Sequence, residues 1–275
     1  MIFHDVAMLS SIVLLYCGSS YALPANTNHN NAKRADPHIM SGKLWKRTDP
    51  TIGNGIDTSD PLRGGKLISA EGTTDGAFSQ AKEMMNYAVT LPAASVDSIF
   101  NKYFNPGDKN TVLAVFNRLL GDGQQDGAAA LANINVIGDN DLPAGDPAPA
   151  YLEGFDDPDP ILGLTDDAFV YPNRDDFDDA CATWADEGMA QDMYLLGSIL
   201  LHEYTHWDWF LGSIHNGAVI DQSGGYGWEG ARALDKSLAV YNADSYGWFA
   251  TELLWATLCA VDGGYNDPHV EKRSE

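Results

Sequence analysis

The sequence is poor in basic residues, and this shortage limits the partners that the protein can have. Its 275 residues include 16 lysines and arginines against 39 aspartates and glutamates, for a formal net charge of -23. A surface with this surplus of negative charge repels the phosphates of nucleic acids and the headgroups of anionic membranes. We therefore expect neither nucleic acid nor membrane among its partners.

Long apolar runs, glycosylation sequons and cysteines are also scarce. No segment reaches the roughly 20 apolar residues that a membrane span requires. No Asn-x-Ser/Thr sequon occurs, so N-glycosylation is not expected. Of the three cysteines, Cys17 lies in an N-terminal apolar run, which leaves Cys181 and Cys259. In an oxidising compartment this pair predicts one disulfide, with two unpaired buried thiols as the alternative.

The N-terminal residues have the features of an export signal. An apolar run that includes Ile12 to Tyr16 is followed by small residues and by Ser20-Tyr21-Ala22, which fits an A-x-A-like cleavage site. We therefore predict a signal peptide at residues 1–22 and a secreted, extracellular protein.

Two dibasic pairs follow the predicted signal peptide, at Lys33-Arg34 and Lys46-Arg47. Such pairs are typical of a propeptide that a dibasic-specific convertase removes. We predict a propeptide at residues 23–47, cleaved after Arg47, and a catalytic domain at residues 48–275. The protein would then be made as a zymogen.

Apolar spacing and turn residues predict an α+β fold that is mainly helical with a small sheet. Asp75 and Ser95 are predicted helix caps. The predicted strands are residues 133–138 and 167–173, and the Pro-, Gly- and Asp-rich residues 138–166 are predicted to form a loop. The predicted helices are residues 75–89, 95–104, 110–120, 192–211 and 229–259, the last broken near Asn242 or Gly247.

The stretch "HEYTH" carries the clearest chemical pattern in the chain. His202 and His206 are four residues apart, so on a helix both imidazoles face the same side and can bind one zinc ion. Glu203 then points into the same cleft, where it can act as the general base towards a water that the metal activates.

Two histidines require a third protein ligand to hold a catalytic zinc ion. Asp208 is too close to His206 to turn back from the same helix. His215 does not fit the longer three-histidine motif, while Glu229 roughly suits a glutamate-type site. Asp221 lies in a Gly-containing turn that can bring the chain back to the metal. The residues alone leave Asp221 and Glu229 open.

Downstream of this motif the chain reads "IDQSGGYGWEGARALDKSLAVYNADSYGWFA". This segment resembles the aspzincins, which are deuterolysin-like secreted metalloendopeptidases of fungi. Their HExxH helix is followed by a G-T-x-D-x-x-Y-G segment and then by an N-A-D-x-Y element. The resemblance is specific over roughly residues 190–260. It departs in two places: Val219-Ile220 replaces Gly-Thr, and four residues separate Asp221 from Tyr226, where the family has two.

The resemblance implies a zincin-like metalloprotease fold with the HExxH motif on its active-site helix, and one Zn2+ ion held by His202, His206 and Asp221. It implies that Glu203 and Tyr226 are catalytic, with Tyr226 stabilising the oxyanion that forms at the scissile carbonyl. Asp244 would orient one of the two histidines. The expected activity is secreted zinc-dependent peptide-bond hydrolysis by a monomer that acts on protein or peptide substrates. The alternative is a non-catalytic secreted zinc-binding protein, either a zinc scavenger or a surface antigen on a degenerate zincin fold.

Overall fold

Helices form most of the ordered structure and flank one small sheet. The computed structural model describes residues 49–69, 75–121, 130–138, 148–177 and 179–266. The strands are β1 (Thr51–Ile52), β2 (Asn135–Gly138), β3 (Ala150–Glu153) and β4 (Ile161–Leu164). The helices are α1 (Gly64–Leu67), α2 (Ala77–Thr90), α3 (Ala93–Tyr103), α4 (Lys109–Leu120), α5 (Ala180–Glu187), α6 (Leu196–Thr205), α7 (Asp208–His215), α8 (Gly227–Ala233), α9 (Lys236–Ala239) and α10 (Ala243–Leu258). The predicted α+β class, mainly helical with a small sheet, is confirmed.

The four strands form one mixed sheet in the order β1-β2-β4-β3. Strands β1, β2 and β4 run parallel, and β3 runs antiparallel to β4. Tyr151 of β3 is paired with Gly163 of β4, and a Cβ atom at Gly163 would lie 2.2 Å from the tyrosine ring. A glycine is therefore required where the ring crosses the neighbouring strand. Strand β3 ends the sheet on the side where α6 packs.

Helix α6 lies in the centre of the molecule. All ten of its residues are buried, between β3 on one side and α2 and α10 on the other. A helix that is apolar along most of its circumference is stable only in the interior. Gly197 allows α2 to approach closely, because a Cβ atom there would lie 3.0 Å from Cβ of Gln80. The "HEYTH" residues thus lie on a helix that its neighbours hold from several directions.

Cys181 and Cys259 lie at disulfide distance, with Cα atoms 5.1 Å apart. The pair connects α5 to the residue that follows the last turn of α10. This is the pairing that the cysteine count predicts.

The helix predicted at residues 192–211 is two helices, α6 and α7. The break falls at Trp207, whose indole donates a hydrogen bond to the carbonyl of Asp157 at 2.8 Å. The amide of Trp209 donates to the carbonyl of Phe155 at 2.9 Å. These tertiary contacts with the turn before β4 interrupt the helix, and the apolar periodicity of the sequence does not reveal them.

The helix predicted at residues 229–259 is three helices, α8, α9 and α10. The expected break near Asn242 is present, but a second break at Asp235 was not predicted. The Asp235 carboxylate accepts a hydrogen bond from the amide of Ser237 at 2.8 Å and so begins α9. An aspartate in this role favours a new helix start over helix continuation.

Two predictions between residues 138 and 173 are wrong. Residues 167–173 were predicted as a strand, but Asp166–Val170 is a 3-10 helix in which the adjacent residues Ala168 and Phe169 are buried. Residues 138–166 were predicted as a loop, but they contain β3 and β4. These strands are four residues long, and the Pro- and Asp-rich composition around them hides the pattern. The strand predicted at 133–138 is present as β2, with shorter bounds.

Neither predicted helix cap is a cap. Helix α2 begins after Gly76, and α3 begins after Pro92, so Asp75 and Ser95 do not cap them. The predicted signal peptide and propeptide lie outside the described residues. Within the described ranges, none of the helices has both the length and the apolar character needed to cross a membrane.

Candidate metal centre

Two imidazoles converge at the C-terminal end of α6. The Nε2 atoms of His202 and His206 lie 3.2 Å apart. His206 directly follows the last residue of α6 but keeps helical backbone angles, so the four-residue spacing still sets both rings on one side. Because α6 is buried, its neighbours constrain the position of this pair.

Asp221 reaches the two imidazoles from a separate segment. Its Oδ1 atom lies 3.1 Å from Nε2 of His202 and 3.5 Å from Nε2 of His206. Among the described residues these three side chains form the one group of His, Cys, Asp and Glu with the spacing to hold a metal ion. The structure thus brings Asp221 to the two histidines.

The segment that carries Asp221 is held by backbone contacts with the start of α10. The amide of Ile220 donates to the carbonyl of Tyr241 at 2.9 Å, and the amide of Ala243 donates to the carbonyl of Ile220 at 3.2 Å. This short parallel bridge determines where the next residue, Asp221, lies.

The two additional residues between Asp221 and Tyr226 are accommodated in a tight turn. The amide of Gly225 donates to the carbonyl of Gln222 at 2.8 Å. The Asn242 side chain holds both ends of the turn, since its Oδ1 accepts from the Gln222 amide at 3.1 Å and its Nδ2 donates to the Gly225 carbonyl at 3.2 Å. The chain between Asp221 and Tyr226 therefore forms a local turn, and both residues remain at the centre.

The outer nitrogens of the two imidazoles have acceptor partners. Nδ1 of His202 lies 2.8 Å from Oδ1 of Asp244, and Nδ1 of His206 lies 2.9 Å from the carbonyl of Val219. A carbonyl, or an ionised carboxylate, accepts hydrogen bonds and does not donate them, so each neutral ring carries its proton on Nδ1. Each Nε2 then presents its lone pair inward, as metal ligation requires. Asp244 is itself held by the amide of Gly227, which donates to its Oδ2 at 2.6 Å.

The side chains of His202, His206 and Asp221 shift one another's pKa values. Burial disfavours the charged form of His202, but hydrogen bonds to Asp221 and Asp244 outweigh burial and raise its pKa well above the usual value. The pKa of His206 is also raised, because its bond to Asp221 and the charge of Glu203 outweigh burial. Burial alone would raise the pKa of Asp221, yet its bonds to both imidazoles lower it. The site therefore favours positive charge between the two rings and the carboxylate.

Glu203 lies beside this group and is buried, with 6% of its surface exposed. Its Oε1 lies 4.0 Å from Nε2 of His202. Burial raises its pKa above the usual carboxyl value and outweighs the opposing charges of the two imidazoles. A carboxyl group with a raised pKa next to a metal site is suited to accept and return a proton.

Tyr226 begins α8 at the open side of the centre, with 61% of its surface exposed. Burial of the phenol, the charge of Asp221 and a hydrogen bond with Asp221 together raise its pKa. The phenol therefore keeps its proton at neutral pH and can serve as a hydrogen-bond donor at the centre.

The other candidate ligands do not join the group. Glu229 is exposed on α8, and Asp208 is the first residue of α7. His215 is buried, and neither ring nitrogen has a hydrogen-bond partner among the described residues. Burial lowers the pKa of His215 to about 4.

Sequence reasoning missed three supports of the centre. The carbonyl of Val219 and the amide of Gly227 act through the backbone, for which no side-chain pattern exists. Asn242 was predicted only as a helix break and as part of the segment that matches the N-A-D-x-Y element. One signal was present in the sequence: the turn between Asp221 and Tyr226 is two residues longer than the resemblance implies. A longer turn requires a side chain such as Asn242 to hold its ends together.

The chain matches no protein-family model, and no curated protein matches it at a significant level. The resemblance to the aspzincins therefore depends on the motif residues themselves and on their spacing.

Proposed function

We propose that the protein is a secreted zinc-dependent metalloendopeptidase of the aspartate-type zincin class. The observation that carries the proposal is the triangle formed by Nε2 of His202, Nε2 of His206 and Oδ1 of Asp221, with sides of 3.2, 3.1 and 3.5 Å. Ligand atoms at 2.0–2.1 Å from a tetrahedral centre lie about 3.3 Å apart. The three atoms thus have the separation that a tetrahedral zinc ion requires.

The donor set favours zinc over the harder cations. Two imidazole nitrogens and one carboxylate oxygen suit zinc, whereas calcium and magnesium prefer sites made of oxygen ligands. Three protein ligands also leave a fourth position open, which is the arrangement of catalytic zinc sites. His202, His206 and Asp221 would hold the ion.

When bound, the metal would polarise the scissile carbonyl and make hydroxide available near neutral pH. Glu203 would accept the proton of the attacking water and then donate it to the leaving amine. Tyr226 would donate a hydrogen bond to the carbonyl oxygen as negative charge develops there. Asp244 would hold the ring of His202 in the tautomer that ligation requires.

Access to the centre supports a polypeptide substrate. Both Tyr226 and Asp221 lie at the open side, and 36% of the Asp221 side chain is exposed. A polypeptide substrate is too large for a closed pocket but can reach this exposed side of the centre. A zincin-like fold is part of the same proposal, supported by the placement of the "HEYTH" helix between strand β3 and helix α10.

The predicted signal peptide, the propeptide cleaved after Arg47 and the monomeric state also belong to this proposal. The Cys181–Cys259 pair supports an oxidising compartment, because disulfides persist mainly in exported proteins.

Glu203→Gln tests the proposal, with casein cleavage and bound zinc both measured on purified chain. The variant is expected to keep one zinc ion and to lose activity by about 10²–10⁴-fold, the usual contribution of a general base. Glu229→Gln is the matched control. It removes the same charge from an exposed position on α8 and should keep both zinc and activity.

Two outcomes would contradict the proposal in different ways. Full turnover by Glu203→Gln would rule out Glu203 as the base. Stoichiometric zinc in the unaltered chain, without any cleavage that a chelator abolishes, would instead identify a non-catalytic zinc-binding protein.

A further inference from the structure

Arg118, on α4, differs from every other basic residue that the structure describes. The remaining described lysines and arginines each contact a carboxylate or a backbone carbonyl; these are Arg63, Lys66, Lys82, Lys102, Lys109, Arg174, Arg232 and Lys236. The Arg118 side chain has no ion pair and no hydrogen bond within the described part of the chain. The chain has 39 acidic residues, so a shortage of carboxylates does not explain why Arg118 lacks an ion pair.

The Arg118 guanidinium is nevertheless held in place. Its central carbon lies 5.1 Å from the centre of the Phe210 ring, so the aromatic face supports the cation. Its Nε atom is shielded from solvent and has no acceptor among the described residues. Shielded donors without acceptors are uncommon in folded proteins, and each calls for an explanation such as a bound ligand, ion or water.

A cleft of about 560 Å³ lies beside this guanidinium, between α4 and α7. Asn117 and Ser213 contribute an amide and a hydroxyl to its lining, and Ala114 and Ile214 contribute apolar surface. No carboxylate is among the described lining residues, and none of them belongs to the candidate metal centre. The cleft therefore combines one cation, two further hydrogen-bond donors and an apolar wall.

We propose that this cleft binds a carboxylate carried on a short aliphatic chain, with Arg118 as its charge partner. The planar guanidinium can bind a carboxylate through two parallel hydrogen bonds, and its contact with the Phe210 ring restricts the side chain in advance. Asn117 and Ser213 can donate to the same carboxylate, while Ala114 and Ile214 contact the carbon chain. Because the protein has a net charge of -23, it repels phosphate more strongly than a single carboxylate.

This chemistry occurs both in free organic acids and in acidic side chains of peptides, so the test uses one probe of each kind. Sodium butyrate and the peptide acetyl-Ala-Glu-Ala-amide, each with one carboxylate, are titrated into the ¹⁵N-labelled chain at an ionic strength held constant with sodium chloride. The amide signals of Asn117 and Ser213 report binding. Saturable shifts are expected, and the tighter of the two probes identifies the source. Sodium phosphate should bind more weakly than either.

Arg118→Gln should weaken binding of the tighter probe by about tenfold or more, the usual loss when a charged hydrogen-bond partner is removed. Arg63→Gln is the matched control, because Arg63 also lies over an aromatic ring, Phe169, but is already paired with Asp166. It should bind like the unaltered chain. Unfolding curves check that both variants fold.

Equal responses of Arg118→Gln and the unaltered chain would overturn the proposal. The same holds if phosphate and chloride produce the shifts that the carboxylate probes produce, or if no probe gives saturable shifts.

Discussion

Helix α10 carries two buried carboxylates whose surroundings differ in one respect. Glu252 is fully buried and accepts four hydrogen bonds, two on each oxygen. Its Oε1 accepts from Nζ of Lys102 at 2.6 Å and from the Tyr265 amide at 2.9 Å. Its Oε2 accepts from the hydroxyl of Tyr103 at 2.8 Å and from Nη2 of Arg232 at 2.6 Å. No acceptor of this cluster is left for a ligand.

Asp244, at the start of the same helix, supports the opposite arrangement. It accepts a hydrogen bond from the outer nitrogen of His202, so the inner nitrogen of the neutral ring presents its lone pair towards His206 and Asp221. Here the lone pairs converge and the donors lie outside. The two clusters show two uses of burial: donors that surround a carboxylate form a structural link, while acceptors that face one another form a candidate cation site.

Helix α8 connects the two clusters. Its first amide, Gly227, donates to Asp244, and Arg232 near its C-terminal end binds Glu252. The helix that follows Tyr226 is therefore held at both ends, which fixes the position of Tyr226. Gly264 completes the Glu252 cluster at φ 77°, where a Cβ atom would lie 2.2 Å from Oε1 of Glu252. Substitutions in each cluster test whether Glu252 acts as a structural link and whether Asp244 supports cation binding.

The largest effect is expected from Glu252→Gln. Without the carboxylate charge, Lys102 and Arg232 remain partly buried beside each other with no counter-charge. Breaking a buried ion pair costs about 3–5 kcal/mol of unfolding free energy, and the partial exposure of Lys102 favours the lower end. Urea unfolding curves measure this loss. Asp262→Asn, which removes one charge from an exposed position, is the control and should change stability little.

If Glu252→Gln were as stable as Asp262→Asn, the cluster around Glu252 would not be a structural link. The proposed difference in role between this cluster and the candidate metal centre would then be wrong.

His215 is a third case, a buried ionisable group with no hydrogen-bond partner among the described residues. The unfolded chain binds a proton at the ordinary histidine pKa of about 6.5, whereas burial lowers the pKa of the folded state to about 4. The unfolded state therefore binds more protons between these values, so stability decreases as the pH falls from about 6.5 to 4. The loss approaches about 3 kcal/mol once the pH is below both values.

His215→Phe should remove this part of the acid sensitivity. Urea unfolding at pH 7 and pH 4 measures it as a smaller difference between the two pH values than in the unaltered chain. All other titratable groups are the same in both proteins, so the difference between them isolates the contribution of His215. Equal pH dependence in the two proteins would show that the ring has a partner in solution.

Asp244→Asn should have a smaller, local effect. The side-chain oxygen of an asparagine can still accept a hydrogen bond from Nδ1 of His202, but it lacks the charge that stabilises the ligating tautomer. Its NH2 group would also face the Gly227 amide, so that two donors would point at each other. Loss of such an outer partner lowers metal affinity by about 10–100-fold. Zinc competition with a fluorescent chelator measures this. Unchanged affinity would mean that Asp244 serves only to join α8 to α10.

The sequence was sufficient for the histidine pair and for the fold class, because both follow from local spacing. The convergence of Asp221 required knowledge of tertiary contacts: the Ile220 bridge to Tyr241 and Ala243, and the Asn242 clamp on the turn. Similarly, the break at Trp207 comes from an indole bond to a distant carbonyl. Strands β3 and β4 were missed because four residues are too few to show a period within acidic turns.

X-ray absorption at the zinc edge tests the central claim most directly. The zinc-loaded chain is expected to show two imidazole nitrogens and one carboxylate oxygen at about 2.0–2.2 Å. Asp221→Ala should lose the carboxylate contribution and bind zinc more weakly, whereas Glu229→Ala should leave the spectrum unchanged. A spectrum that is the same in Asp221→Ala, or that changes only in Glu229→Ala, would contradict the assignment of Asp221 as the third ligand.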